Sequence, residues 1–453
     1  MNSRRLVPWL LAALLAIGYS AVSLTRHWRM ETSGFDLGIF DEAVRGYARS
    51  GVPTAALKGT GFSVLGDHFS PVLALLAPFY RVFPDASTLL VAQAVLLALS
   101  AVPVTRLAVE LLGRAGGLAI GLAYGLSWGL WRALLFDFHE VAFAVPLAAF
   151  ALAALARGRH RAAVCWALPL LLVKEDQGLL LAGVGIYLFC RGSRRLGAAT
   201  VLTAVLGTVL IVTVLIPAFN PLGGYFYTAP AEWNGSNPLG RLLLPGVKWI
   251  TVLTLLAPTL FLALRSPLAA LAVLPLAARF WSLTPIYWEC AQHYNAVLMP
   301  VLFTAMLDGL RRTGWPGRTD QLRWCARAVP VLALLVAVCT VPVPDLGAPG
   351  PAVAAIRRAL AVIPDGATVA ASNRLAPQLT DRCTVSLFPS MTYPGAVGPW
   401  DRPTAYWVAT LDPLGDFPVP QSEQLRDRAA LTAAGYRLVT DEGGVRVYRW
   451  TAG

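Results

Sequence analysis

Long apolar runs recur along almost the whole of this chain, with short arginine clusters between them. A run of about 20 apolar residues is the length a helix needs to cross a bilayer. Composition agrees: 56% of the residues are hydrophobic and only 14% charged, with a mean hydropathy of +0.60. Soluble domains carry roughly a quarter charged residues. The chain therefore reads as a membrane protein. Its net charge of +12 does not make it a nucleic-acid binder. The arginines fall in loops between apolar runs, which is the positive-inside pattern.

The pattern predicts spans near 6–24, 87–110, 116–134, 139–156, 161–173, 177–190, 196–217, 248–264, 267–283, 293–310 and 327–343. Put Arg4 and Arg5 on the cytoplasmic side. The clusters Arg106/Arg114, Arg157/Arg159/Arg161, Arg191/Arg194/Arg195, Arg265 and Arg311/Arg312/Arg318/Arg323/Arg327 then fall on that side too. The fold class that follows is a polytopic α-helical membrane protein of about 11 spans, N-terminus in and C-terminus out. Residues 1–24 have the basic start and apolar core of a signal peptide. The run is long enough to span and no clear small-residue cleavage site follows, so it is read as an uncleaved first span. Spans 161–173 and 177–190 are short for a bilayer of about 30 Å. Lys174, Glu175 and Asp176 mark the turn between them, at the outer surface or dipping into a cavity. The short apolar stretch 69–83 is read as an interfacial or re-entrant element. The six cysteines show no metal-ligand spacing. Cys290 and Cys383 both fall outside, which leaves a disulfide between them open.

The acids then sort by side. Inside loops hold Glu110, Asp308 and Asp320. Outside loops hold Glu31, Asp36, Asp41, Glu42, Asp67, Asp85, Asp137, Glu140, Glu175, Asp176, Glu232 and Glu289. Acids contribute little to orientation, so topology does not account for the excess on one face. Something on the outer face uses carboxylates.

After about residue 345 the composition changes. "AAIRRALAVIPDGATVAAS" reads as helix then strand, and "TVSLF" and "AYWVATLD" as further strands. "SEQLRDRAALTAAGYRLVTDEGGVRVYRW" reads as a helix and a hairpin with a Gly-Gly turn. Residues 345–453 thus form a small extracytoplasmic α/β domain, and residues 1–344 the transmembrane domain with an acidic first outer loop (25–86).

"GFDLGIFDEAVRGYARSG" (34–51) carries Asp36, Asp41 and Glu42. As a helix it sets Phe35, Ile39, Ala43 and Tyr47 on one stripe suited to lying on a membrane surface. Ordinary explanations exist: Asp36 as a helix cap, and Asp41 paired with Arg45 four residues on. Three acids are nonetheless wrong for simple anchoring to anionic lipid. Asp67 and His68 follow in "LGDHFSP", Asp137, His139 and Glu140 in "FDFHE", Lys174, Glu175 and Asp176 in "VKEDQG", and Glu289 and His293 in "YWECAQHYN". Each alone is an ordinary loop polar residue. Together they are candidate substrate-binding residues on one face, with Asp36, Asp41 and Glu42 as candidate catalytic acids. Carboxylate with histidine can serve as general base or bind a divalent metal. The candidate ligands for such a metal are Asp41, Asp67, His68, His139 and Glu140. Lys174 can hold a phosphate as a point charge. The loop carrying Tyr225, Phe226, Tyr227 and Trp233 suits an interfacial belt or a sugar ring.

"FDLGIFDEAVRGYARSG", "LGDHFSPVLALLAPFY", "DFHEVAFAVPLAAFALAAL" and "LLVKEDQGLLLAGVGIYL" resemble the bacterial predicted membrane proteins called domain of unknown function 2079. That resemblance runs from about residue 30 into the C-terminal domain and implies no settled activity. More remotely, the Asp41–Glu42 pair beyond the first span, followed by Tyr47, Ala48 and Arg49, is similar to the first outer loop of GT-C type membrane glycosyltransferases. Those enzymes use polyprenyl-phosphate sugars, and the loop acid serves as base or metal ligand. The resemblance implies an integral protein of the bacterial plasma membrane, with a lipid-linked sugar donor, an envelope acceptor and the bilayer as its partners. Asp36 or Asp41 would take the acceptor proton, with the phosphate near Lys174, His293 or a metal. Two other classes stay open: a transporter or lipid flippase, and a non-catalytic envelope scaffold or sensor.

Overall fold

The computed structural model describes residues 3–227, 237–312, 318–389, 405–415 and 417–451. Glu232, Trp233 and Asn234 lie outside the described residues. Helix α1 (Ser3–Trp28) runs against the helical stretch Ser87–Gly125. Glycine permits the close approach. A Cβ on Gly125 would stand 2.5 Å from Leu15, and one on Gly121 2.7 Å from Leu11. The Tyr19 hydroxyl donates to the Gly125 carbonyl across the same contact. Small residues let helix backbones close up where lipid offers no hydrophobic drive to associate.

Ser87–Gly125 is not one straight rod. Gly113, at φ 73 and ψ −176, reverses the chain. Gly117 then packs on Val109 and Gly121 on Thr105, and the Tyr124 hydroxyl donates to Ser100 Oγ at 2.7 Å. The two arms fall on predicted spans 87–110 and 116–134, the second completed by helix Trp128–Leu135. Another tight hairpin pairs Gly178–Cys190 with Arg194–Leu210. There a Cβ on Gly197 would sit 2.4 Å from the Phe189 nitrogen. Among the described residues, four helical stretches are long and apolar enough to cross a membrane: Leu6–Trp28, Ser87–Gly125, Arg194–Phe219 and Asp320–Thr340. Shorter apolar helices include Val141–Ala156, His160–Leu172, Val247–Thr259 and Pro267–Trp281. Residues 71–82 form a two-sided helical element that buries Leu73, Leu76 and Tyr80 and exposes Leu75, Phe79 and Val82.

The C-terminal sheet has five strands: β1 (Thr368–Ala371), β2 (Thr384–Leu387), β3 (Trp407–Leu411), β4 (Tyr436–Glu442) and β5 (Val445–Trp450). Their order is β2-β1-β3-β5-β4. The first three are parallel, and β5 closes antiparallel on β3. Gly443 and Gly444 make the β4–β5 turn at φ 62 and 81, backbone that glycine adopts without strain. Helix Pro351–Ala361 covers one face of the sheet.

Helix α2 (Ile39–Arg49) joins the two halves and corrects part of the sequence reading. Its Ile39 and Ala43 do not face lipid. They pack with Leu57 and Val64 against Leu375, Ala376 and Leu379 of the sheet region. Phe40 and Val44 on another face join the helical core beside Leu73, Tyr80 and Phe138. An apolar stripe declares that something apolar covers it, and not what. Asp36 does not cap the helix. Arg45 turns to Glu42 at 3.9 Å and donates to the Cys383 carbonyl at 2.7 Å. All six cysteines are free thiols, so no disulfide joins Cys290 to Cys383.

Candidate functional site

The site begins with a strained turn. After helix Trp128–Leu135 the chain passes through Asp137 at φ 69, a left-handed conformation unusual for a residue with a Cβ. Three residues hold it there through four hydrogen bonds. Arg26 donates to Asp137 Oδ1 at 3.1 Å and the Ser33 amide to Oδ2 at 2.8 Å. Gln93 donates to the Asp137 carbonyl and accepts from the His139 amide at 3.0 Å. The turn delivers His139 and Glu140, both buried. His139 Nδ1 lies 2.7 Å from one Glu140 oxygen, and Lys174 Nζ 3.0 Å from the other.

Lys174 arrives from the tip of the short pair. Helix His160–Ala167 tightens through Leu168–Leu172, Lys174 is extended, and Glu175–Gln177 turn into helix Gly178–Cys190. Lys174 and Glu175 are buried and Asp176 is exposed. Glu175 accepts from Tyr225 at 3.0 Å and from the Phe69 amide at 3.2 Å, and pairs with His68 at 2.6 Å. Asp67 pairs with Lys58 at 2.6 Å and accepts from Tyr227 at 2.8 Å. Tyr227 also stacks on His68, with centroids 4.4 Å apart.

On the other flank the His139 and His293 rings stack at 3.7 Å, and Tyr294 lies against His293 at 4.2 Å. Arg279 sits over the Tyr294 ring at 5.7 Å and donates to the Tyr287 and Tyr294 carbonyls. Its Nη2 is buried without a hydrogen-bond partner, as is His293 Nδ1. Glu289 contributes its carbonyl to Asn295 at 3.3 Å.

The three candidate catalytic acids separate. Asp36 stands at φ 91, ψ −82, within electrostatic range of Glu140, Lys58, Asp137 and Lys174. Asp41 and Glu42 are directed elsewhere. Asp41 is buried, with Thr380, Tyr80 and Arg45 as its polar neighbours and both oxygens outside hydrogen-bond geometry. Glu42 accepts from the amides of Leu57 at 3.0 Å and Val385 at 3.2 Å, tying the segment after α1 to β2.

Burial and then the Glu140 carboxylate push Asp36 up to about 7, against Lys58 and Lys174. Burial alone would lower Lys174, but Glu140, Asp176 and Glu175 reverse that and hold it above the ordinary lysine range. Asp67 is held at about 2, because Lys58 and His68 outweigh its burial. Asp137 rises to about 6, as burial outweighs Arg26.

The candidate metal ligands do not come together at one point. Among the described residues no three His, Cys, Asp or Glu side chains gather as ligands would. Lysine ammonium groups already occupy the ground beside Glu140 and Asp67. The arrangement is suited instead to an anion and a proton acceptor side by side. A separate cavity of about 470 Å³, lined by Glu110, Arg157, Arg159 and Arg311, contains none of these residues.

Sequence reasoning missed Arg26, Lys58, Gln93 and Arg279 as members of the cluster. Signals existed for three. Arg26 and Arg279 are cations at the expected outer ends of apolar runs, against the positive-inside trend. Lysine occurs only at positions 58, 174 and 248, and all three are buried. Gln93 carries no such mark.

Comparison with solved structures gives the fold a relative. ArnT from Cupriavidus metallidurans bound to undecaprenyl phosphate is similar at a TM-score of 0.60, with 16% identity over 98% of each chain. The apo state of the same protein gives 0.58, with 14% identity over 97% of each chain. Identity this low shows a shared fold. No curated protein matches in sequence. The family described as "Predicted membrane protein (DUF2079)" matches residues 26–445. With nearly the whole chain inside that match, from the end of α1 to the last hairpin, the protein belongs to this family of membrane proteins.

Proposed function

We propose that this protein transfers a sugar from a polyprenyl-phosphate donor to a cell-envelope acceptor at the outer face of the bacterial plasma membrane. In this reading the chain crosses the membrane about 11 times, and residues 345–453 stand outside it. The observation that carries it is a single cluster in which Lys174 is ionised, Arg279 Nη2 has no partner, and Asp36 holds a carboxyl near 7 on left-handed backbone. The likeness of fold to ArnT bound to undecaprenyl phosphate supports the choice of donor.

The proposed chemistry is a single displacement. Asp36, as carboxylate, takes the proton of an acceptor hydroxyl, and that oxygen bonds to the anomeric carbon. The bond from this carbon to the phosphate oxygen breaks, and its electron pair stays on the phosphate. Lys174 and Arg279 meet the charge that develops there, as preorganised donors do in a water-poor site. A base near 7 is matched to work at neutral pH. Asp41 and Glu42 hold the loop against the sheet domain in this account.

The test is a transfer assay on purified protein in nanodiscs, with a panel of radiolabelled polyprenyl-phosphate sugars and envelope extract as acceptor. The reading expects label to leave the lipid with at least one donor. No release across the panel, with donor photo-crosslinking also absent, would overturn it in favour of transport or a scaffold.

A further inference from the structure

The first outer loop contains two residues with a side chain in left-handed backbone, Met30 at φ 61 and Asp36 at φ 91. Neither is glycine, and such strained backbone persists only where the surroundings over-determine it. The surroundings come from one short segment at the carboxyl end of β1. The Asn373 carbonyl accepts from the Gly34 amide at 2.7 Å, and Asn373 Oδ1 accepts from the Phe35 amide at 2.8 Å. Next to it, Arg374 Nε donates to the Met30 carbonyl at 2.9 Å. Gln378, one turn further on, donates to the His27 carbonyl at 3.1 Å.

The fit leaves no slack. A Cβ on Gly34 would lie 2.5 Å from the Ala376 Cβ. Phe35 meets Phe417 edge to face at 5.3 Å, and Asn373 Nδ2 donates to the Phe417 carbonyl at 3.3 Å. Asn373 is therefore itself oriented, with its oxygen on the loop and its nitrogen on the sheet domain. Both bonds it gives the loop end on the two residues before Asp36, so they set the direction in which that residue leaves the turn.

We propose that Asn373 is a positioning residue, through which the C-terminal domain holds the Gly34–Asp36 turn and aims the Asp36 carboxylate into the charged cluster. This rests on the transferase reading for its catalytic consequence, but not for its structural one. The groups that face Asp36 across the cluster are Glu140, Lys58, Asp137, Lys174 and Tyr294. A turn released from Asn373 would carry the carboxyl away from them and into water.

The experiment uses the full chain in nanodiscs and compares wild type with Asn373→Ala, Asn373→Asp and Gly34→Ala. Hydrogen exchange read by mass spectrometry follows the 30–40 segment and β1 separately. Asn373→Ala is expected to speed exchange in 30–40 about tenfold, the scale of one lost hydrogen bond, with β1 unchanged. Asn373→Asp keeps the accepting oxygen and is expected to restore protection. Gly34→Ala is expected to mimic Asn373→Ala. In the transfer assay Asn373→Ala should lose about 10- to 100-fold in kcat, the scale of a small misplacement. Its donor KM should stay within about twofold, because the groups proposed to hold phosphate are untouched. The acid limb of its pH profile should move down from near 7, and Asn373→Asp should recover most of the rate.

Wild-type exchange in Asn373→Ala would overturn the proposal, whatever the transfer assay gives. So would a loss that Asn373→Asp does not rescue, or one accompanied by exposure of β1. If wild type transfers no sugar, the transferase reading falls while the exchange result still decides whether Asn373 holds the turn.

Discussion

Lys174 Nζ and Glu140 Oε1 lie 3.0 Å apart, both buried, on loops that no helix shares. Glu140 belongs to the turn after Trp128–Leu135 and Lys174 to the tip between two short helices. The pair joins separately built hairpins through one charge contact. Removing one partner leaves the other charge uncompensated, which costs about 3–5 kcal/mol at a buried site. Lys174→Met should therefore destabilise the protein by that order in thermal or denaturant unfolding. Lys174→Met with Glu140→Gln should recover much of it. Purely additive losses would show that the pair is not coupled.

Asp41 gives a prediction about pH. Burial raises its carboxyl to about 7, above the value of about 3.9 for an unfolded aspartate. The proton is bound more tightly by the folded chain, so this group's contribution is complete below about pH 4 and lost as pH rises towards 7. The slope from one such group is at most about 1.4 kcal/mol per pH unit. Asp36 and Glu42 shift in the same direction, so the wild-type profile sums several groups. The difference between wild type and Asp41→Asn isolates Asp41. It should grow between about pH 4 and 7 in favour of the variant. A flat difference would place an ionised carboxylate at that position.

Gly125 tests the helix packing. A side chain there meets Leu15 of α1 at 2.5 Å, within the contact that Tyr19 also bridges. Gly125→Val should cost about 1–3 kcal/mol by overpacking. Gly18→Val is the control, because a Cβ there meets nothing within 4 Å. Equal effects of the two changes would contradict the described packing.

Much of the architecture was legible because it follows from periodicity and punctuation. The apolar runs located helices such as Val141–Ala156 and Gly178–Cys190, and "DEGGVR" located the β4–β5 turn. Asp67, His68, His139, Glu140, Lys174, Glu175 and His293, which the sequence groups on one side of the apolar runs, lie in linked contacts in the structure. What stayed hidden depends on three-dimensional coverage. The stripe of α2 reads equally well against lipid or protein, and only the position of Leu375 and Leu379 decides. Asp36, Asp41 and Glu42 are indistinguishable as letters. The left-handed turn at Asp36 aims it at the cluster, while Glu42, six residues on, bonds β2. Asn373 gave no signal, because its role lies in two amides 338 and 339 positions away.

Asp36 is the proposed proton acceptor for sugar transfer. The most direct test is single-turnover release of sugar from its polyprenyl-phosphate carrier by wild type, Asp36→Asn and Asp41→Asn, in nanodiscs at pH 7.5. Loss of a general base costs about 10²- to 10⁴-fold. Asp36→Asn should fall by that order with donor binding retained, and Asp41→Asn should stay within about threefold of wild type. Full activity in Asp36→Asn, or the collapse of Asp41→Asn alone, would contradict that role.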